Sequence, residues 1–218
     1  MARLVPNRFL FRFEFPLYRC RRPPRLDGRL DDWEDRFLLP SLHEIDGESG
    51  FAAVFLTWDD AGLYLGCRVR GKSRLPECTP AHYWKGDNLR LMTDMRDTRQ
   101  AHRATRFCQQ FYFLPLGGGE EGRSALAGAA RVNRATEDAP PVREGLLSAV
   151  SRVDRSGYTL TAHVPASALN GFDPRENPRI GVYYTVEDQE LGRQFLTVGD
   201  DLNWSVDPST WATAVLTE

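Results

Sequence analysis

Phe51-Ala52-Ala53-Val54-Phe55-Leu56-Thr57-Trp58-Asp59-Asp60-Ala61-Gly62-Leu63-Tyr64-Leu65-Gly66-Cys67-Arg68-Val69-Arg70 decides the fold class. From Phe51 to Trp58 apolar residues occupy both faces, the pattern of a central strand. Beyond the turn, Leu63, Leu65, Cys67 and Val69 alternate with Tyr64, Gly66, Arg68 and Arg70, which is the period of two of a half-buried strand. Trp58-Asp59-Asp60-Ala61-Gly62 supplies the turn residues of a tight hairpin between them.

The same period recurs outward from this hairpin. Phe9, Phe11, Phe13 and Phe15 alternate with Leu10, Arg12 and Glu14, and Tyr158, Leu160, Ala162 and Val164 alternate with Thr159, Thr161 and His163. Asp154-Arg155-Ser156-Gly157 makes a second tight turn, and further strands fit 87–94, 108–114, 146–153, 179–187 and 211–217. Helical stripes are lacking apart from short turns near Pro165 to Leu169 and within Arg96 to Arg106. About nine or ten short strands predict an all-β fold, a two-sheet antiparallel β-sandwich of jelly-roll or immunoglobulin-like type. The 218 residues suit a single domain over 1–218, with a glycine-, alanine- and charge-rich long loop at 115–145.

A net charge of -2 with 27% charged residues gives no bias toward nucleic acid or a membrane surface. Met1 to Arg12 mixes arginines and a proline among its apolar residues, unlike an export signal, so a cytoplasmic location is expected. Cys20, Cys67, Cys78 and Cys108 lack CxxC spacing and read as reduced thiols. Gly117 to Ser124 approaches a phosphate-binding loop, but arginine stands for its lysine and two glutamates occupy the cradle. The four histidines form no metal-spaced pair and no serine-hydrolase elbow occurs, so the chain is expected not to be an enzyme and no catalytic residue is assigned. Asp31-Asp32, Asp59-Asp60 and Asp200-Asp201 read as turn residues that leave a structural calcium ion open, without a DxDxDG run to make the case.

Two tryptophans stand apart from the alternating runs. Trp84 lies in His82-Tyr83-Trp84-Lys85-Gly86-Asp87 and Trp204 in Asp200-Asp201-Leu202-Asn203-Trp204-Ser205-Val206-Asp207-Pro208, both polar and turn-rich. An indole so placed is expected to present its flat face to a ligand such as a sugar ring. Between two strands, Asp94 to Arg106 concentrates four arginines and a histidine, suited to carboxylate or sugar hydroxyls, or to pairing with Asp94 and Asp97 in a solvated loop.

Five segments in order resemble the family 9 carbohydrate-binding modules and their DOMON-like relatives. Leu26-Asp27-Gly28-Arg29-Leu30-Asp31-Asp32-Trp33 is similar to the DG-x-x-D-x-x-W opening, and Ala53 to Leu65 to the strand, WD turn and LY strand that follow. Trp84 to Asp94, Gly157 to Pro165, and Trp204 with Asp207-Pro208-Ser209 are similar to the later motifs. The resemblance implies a β-sandwich that binds the end of an oligosaccharide or polysaccharide without transforming it, with Trp84 and Trp204 at the positions that sandwich a terminal sugar. Asp87, Arg90, Tyr112 and Asn203 would line that site.

The polar shell departs from the family. Arg90 stands where an acidic residue is usual, Tyr112 where an arginine is, and Thr185 and Glu187 where amides are. Arg90, together with Arg99, His102 and Arg103, points toward an anionic sugar. Two alternatives stand beside this reading: a scaffold that binds a protein partner through the arginine-rich segment and long loop, and a haem-binding DOMON-like domain using Met92, Met95 or His102 as axial ligands.

Overall fold

The computed structural model of the chain describes residues 12–47 and 49–218. Strands β1 (Glu14–Tyr18), β9 (Arg179–Asp188), β4 (Asn88–Asp94), β5 (Cys108–Gly118), β6 (Ser124–Ala130), β10 (Gly192–Phe195) and β11 (Ala212–Thr217) form one sheet. Its order is β1-β11-β9-β4-β5-β6, with β10 added on β9. Strands β2 (Ala52–Asp59), β3 (Gly62–Arg70), β8 (Gly157–Pro165) and β7 (Ser148–Asp154) form the second sheet in the order β2-β3-β8-β7. Among the described residues every pairing of named strands is antiparallel except β1 with β11. Helical structure among the described residues is confined to short 3-10 turns, and no helix is long and apolar enough to cross a membrane. The two-sheet β-sandwich expected from alternation is therefore the fold.

Local chemistry fixes the hairpins. In the β2–β3 turn Asp59 Oδ1 accepts the Ala61 N–H at 2.8 Å, and Gly62 follows at φ 139°. A Cβ at Gly62 would lie 2.2 Å from the Val164 carbonyl oxygen on β8, so the neighbouring strand can approach only a glycine there. Val54, Leu56 and Trp58 of β2, Leu63, Leu65 and Cys67 of β3, and Leu160 and Val164 of β8 turn into the main core. They meet Leu89, Leu91, Phe111 and Tyr184 of the seven-stranded sheet.

Two expectations are corrected. Among the described residues β2 is an edge strand, not a central one. Its second apolar face exists because Cys20, Trp33 and Phe37 of the amino-terminal segment pack over Phe55 and Tyr64 in a separate cluster. The span expected as one long loop over 115–145 holds the end of β5 and the whole of β6. Ser124-Ala125-Leu126-Ala127-Gly128-Ala129-Ala130 has no β-branched or aromatic residue, so pairing with β5 rather than propensity makes it a strand. Of the phenylalanine alternation, Phe15 enters the core, whereas Phe9 and Phe11 lie outside the described residues.

Candidate functional site

The outward face of the seven-stranded sheet carries the candidate site. Alternation along β4 puts Asn88, Arg90 and Met92 on one face, opposite Leu89 and Leu91. Cross-strand register brings Tyr112 on β5 and Thr185 on β9 beside Arg90, Glu187 beside Asn88, and Arg193 of β10 beside Glu187. Two loops, around Tyr83-Trp84 and around Trp204, close over this face.

Trp84 is the open indole of the site, 45% exposed. It stands edge-on to His82 and Tyr83, with ring centroids 5.3 and 5.1 Å away. Tyr83 stacks on Tyr112 at 4.2 Å and 12°, and its hydroxyl accepts the Gln110 side-chain N–H at 2.7 Å. Behind Tyr112 lies Gly128 of β6, where a Cβ would sit 2.2 Å from the tyrosine ring. The glycine of an alanine-rich strand thus seats the first ring of a ladder that ends at Trp84.

Trp204 differs from expectation. It is only 6% exposed and belongs to the main core. Its ring stacks on Tyr183 at 5.2 Å and 17°, touches Phe195 at 6.0 Å, and carries the Arg90 guanidinium 5.0 Å from its centroid. Its Nε1 donates to Asp200 Oδ1 at 3.3 Å, and its carbonyl accepts the Trp211 indole N–H at 2.8 Å. The polar sequence around it misled because β9 and β10 supply the apolar bed from elsewhere in the chain.

Charges alternate across the site. Glu187 receives Arg90 at 3.1 Å through one carboxylate oxygen and Arg193 at 3.1 Å through the other, while Arg193 also reaches Asp200 at 2.5 Å. Burial lowers the pKa of Arg90, opposed mainly by Glu187. A pocket of about 360 Å³ opens here, lined by Glu77, Trp84, Lys85, Glu187, Gln189 and Arg193 among others. Asn88 Oδ1, Arg90 Nε and Thr185 Oγ1, on the same face, are buried and have no hydrogen-bond partner among the described residues. A second pocket of about 360 Å³, between Cys108 and Val142, lies beside the end of β5 that leads away from Tyr112 and is lined largely by alanine, valine and proline.

The residues expected at the site are not all brought together. Arg90 and Tyr112 share the face with Trp84. Asp87 is fully buried and holds backbone, accepting the Glu77 N–H at 3.0 Å and the Gln189 N–H at 2.7 Å. Asn203 is exposed, and its carbonyl closes the turn by accepting the amides of Val206 and Asp207. Arg99, His102 and Arg103 follow the far end of β4, about 20 Å from its start at a strand's rise per residue. There Arg99 donates to the Trp211 carbonyl, His102 contacts Asp207 Oδ2 at 3.0 Å, and Arg103 is exposed. Met92 and Met95 are buried in the core. Among the described residues no group of three or more His, Cys, Asp and Glu could hold a metal ion.

Sequence reasoning missed Tyr83 and Arg193, and met Glu187 only as a departure from a motif. Glu187 could have been found by period two, since it lies two residues beyond Thr185 on the same face of β9.

No protein-family model matches the chain, and no curated protein matches it. Solved structures do. The chain is similar to a family 9 carbohydrate-binding module from Caldicellulosiruptor kristjanssonii in complex with cellotriose, at 13% identity and TM-score 0.65 over 94% of this chain and 93% of that one. It is also similar to a family 9 module from the same organism in complex with glucose, at 14% identity and TM-score 0.62 over 93% and 96%. The fold is therefore that of the family 9 carbohydrate-binding modules, as the motif order implied.

Proposed function

We propose that this chain is a non-catalytic carbohydrate-binding module that takes a sugar against one open tryptophan rather than between two. The observation that carries the reading is Trp84, exposed at the mouth of a pocket whose other walls are Glu187 and Arg193. A flat apolar ring beside fixed donors and acceptors suits a pyranose, which has apolar C–H faces and a polar rim. Trp204, with Tyr183 on its ring and Arg90 over it, serves instead to hold the Arg90 guanidinium in place. Two solved structures of this fold hold cellotriose and glucose, which supports the ligand class.

The charge pattern favours a neutral sugar over an anionic one. Lys85, Arg90 and Arg193 are matched by Glu77, Glu187 and Asp200, so no surplus of positive charge faces the pocket. Isothermal titration with neutral gluco-oligosaccharides and with uronic-acid oligosaccharides tests this. Neutral ligands should bind and lose their affinity in Trp84→Ala. Binding confined to the uronic acids would overturn the neutral choice, and retention of no saccharide, or equal binding by Trp84→Ala, would overturn the carbohydrate reading itself.

A further inference from the structure

Of the chain's 28 lysines and arginines, only Lys72 and Lys85 are lysines; Lys85 lines this pocket, and Lys72 pairs with Asp87 and Asp188, which adjoin lining residues in sequence. Lys85 is exposed on its lining; Lys72 is buried behind it. The Lys72 ammonium lies 2.6 and 2.8 Å from the two carboxylate oxygens of Asp188 and 3.0 Å from Asp87 Oδ2. Side-chain exposure is 1% for Lys72, 1% for Asp87 and 0% for Asp188. Three N–H donors thus meet three carboxylate oxygens, an arrangement open to a compact ammonium and not to a planar guanidinium.

The two aspartates reach onward into the pocket wall. Asp87 follows Trp84-Lys85-Gly86 directly and accepts the amides of Glu77 and Gln189. Asp188 lies between Glu187 and Gln189, and its Oδ1 accepts the amides of Glu190 and Leu191 at 2.9 Å. Glu77, the Trp84 loop and the β9–β10 turn therefore share one fastening point.

We infer that Lys72 is the positioning residue of the Trp84 pocket: its ammonium, clamped by Asp87 and Asp188, locks the loop bearing Trp84 to the hairpin bearing Glu187 and Arg193. This rests on the carbohydrate reading for its functional consequence, but not for the lock. Burial disfavours the Lys72 charge, and the bonds to Asp188 and Asp87 outweigh it, leaving the amine with a raised pKa and the clamp closed through the physiological range.

Two variants test the lock. Lys72→Met leaves two buried carboxylates facing one another, so the double variant Lys72→Met with Asp188→Asn serves where the single one does not fold. Amide hydrogen exchange should accelerate about tenfold or more at Glu77 and Gln189, while Leu65 and Leu160 in the other sheet keep their wild-type rates. At a temperature where the variants are fully folded, affinity for the gluco-oligosaccharide that the wild type binds should fall by about tenfold or more, as for loss of charge-assisted bonds that fix the wall. A role in general stability alone would raise exchange across both sheets and leave the affinity of the folded protein unchanged. Either of those results, or unaltered exchange at Glu77 and Gln189, overturns the inference. Should the wild type bind no saccharide, the carbohydrate reading fails by itself and the exchange pattern still decides the lock.

Discussion

Trp84→Ala and Trp204→Ala should separate binding from stability in opposite directions. Truncating Trp204 removes a 6% exposed indole packed on Tyr183, Phe195 and Arg90, and the surrounding strands cannot collapse into the space. A buried Trp→Ala change of this kind costs about 3–5 kcal/mol. For a chain of 218 residues, at about 2–4 °C per kcal/mol, the melting temperature should fall by roughly 6–20 °C. Trp84 is 45% exposed and its ring contacts are edge-on, with His82 and Tyr83, so its truncation should cost about 1 kcal/mol or less. Its affinity cost is the larger effect. Burying one aromatic face against a sugar is worth about 1.5–3 kcal/mol, a factor of roughly 10–150 in Kd. Thermal melts and titration calorimetry on the two variants, measured with the same saccharide, give both numbers. Equal melting temperatures for the two variants, or a Trp204→Ala protein that melts with the wild type, would refute the assignment of Trp204 to the core and Trp84 to the platform.

Two further outcomes follow from individual side chains. His163 stacks on Tyr64 at 4.6 Å and is half-buried, its Nε2 without a hydrogen-bond partner among the described residues; burial lowers its pKa, against smaller opposing effects of the Ala61 backbone and Asp59. The unfolded chain therefore takes up this proton first as pH falls, so its contribution to stability is complete above an ordinary histidine pKa of about 6.5 and is lost below it. Urea midpoints measured on either side of that pH should show the slope in the wild type and a shallower one in His163→Gln. Gln194 pairs with the edge of β2, its amide donating to the Ala52 carbonyl at 2.8 Å and its oxygen accepting the Ala52 N–H at 2.9 Å. Gln194→Leu leaves both backbone groups without that partner and should cost about 2 kcal/mol or more, read as a lower urea midpoint with an unchanged slope.

The elements that could be read from sequence are those whose neighbours do not matter to the signal. In β3 and β8 alternation is complete within each strand, because one face of each meets the main core and the other a thinner covering. The turn residues Asp59 and Asp154 act within three residues of their own position, so their chemistry is local. Strand β6 fails on both counts. Its alanines give no period, and its existence depends on the ladder that β5 offers from Gln110 to Leu114. The four residues of β10 are similarly defined by the partner, β9.

The site divides along the same line. Trp84 was legible because an exposed ring needs only a turn to hold it out, and the turn residues adjoin it in sequence. Trp204 was not, because burial of an indole in a polar loop is decided by residues far away, Tyr183 and Phe195 on two strands and Arg90 on a third. Asp87 shows the same physics in reverse. Three residues from an exposed tryptophan it reads as a ligand contact, yet its carboxylate is used up by two backbone amides and by Lys72, fifteen residues earlier across the sandwich. A carboxylate enclosed this way cannot also offer its oxygens to a sugar, whereas Glu187, which keeps an edge on the pocket while bridging two arginines, can. An acid that lines the pocket and an acid that fastens backbone thus stand on opposite faces of one wall, and only the partners in space tell them apart.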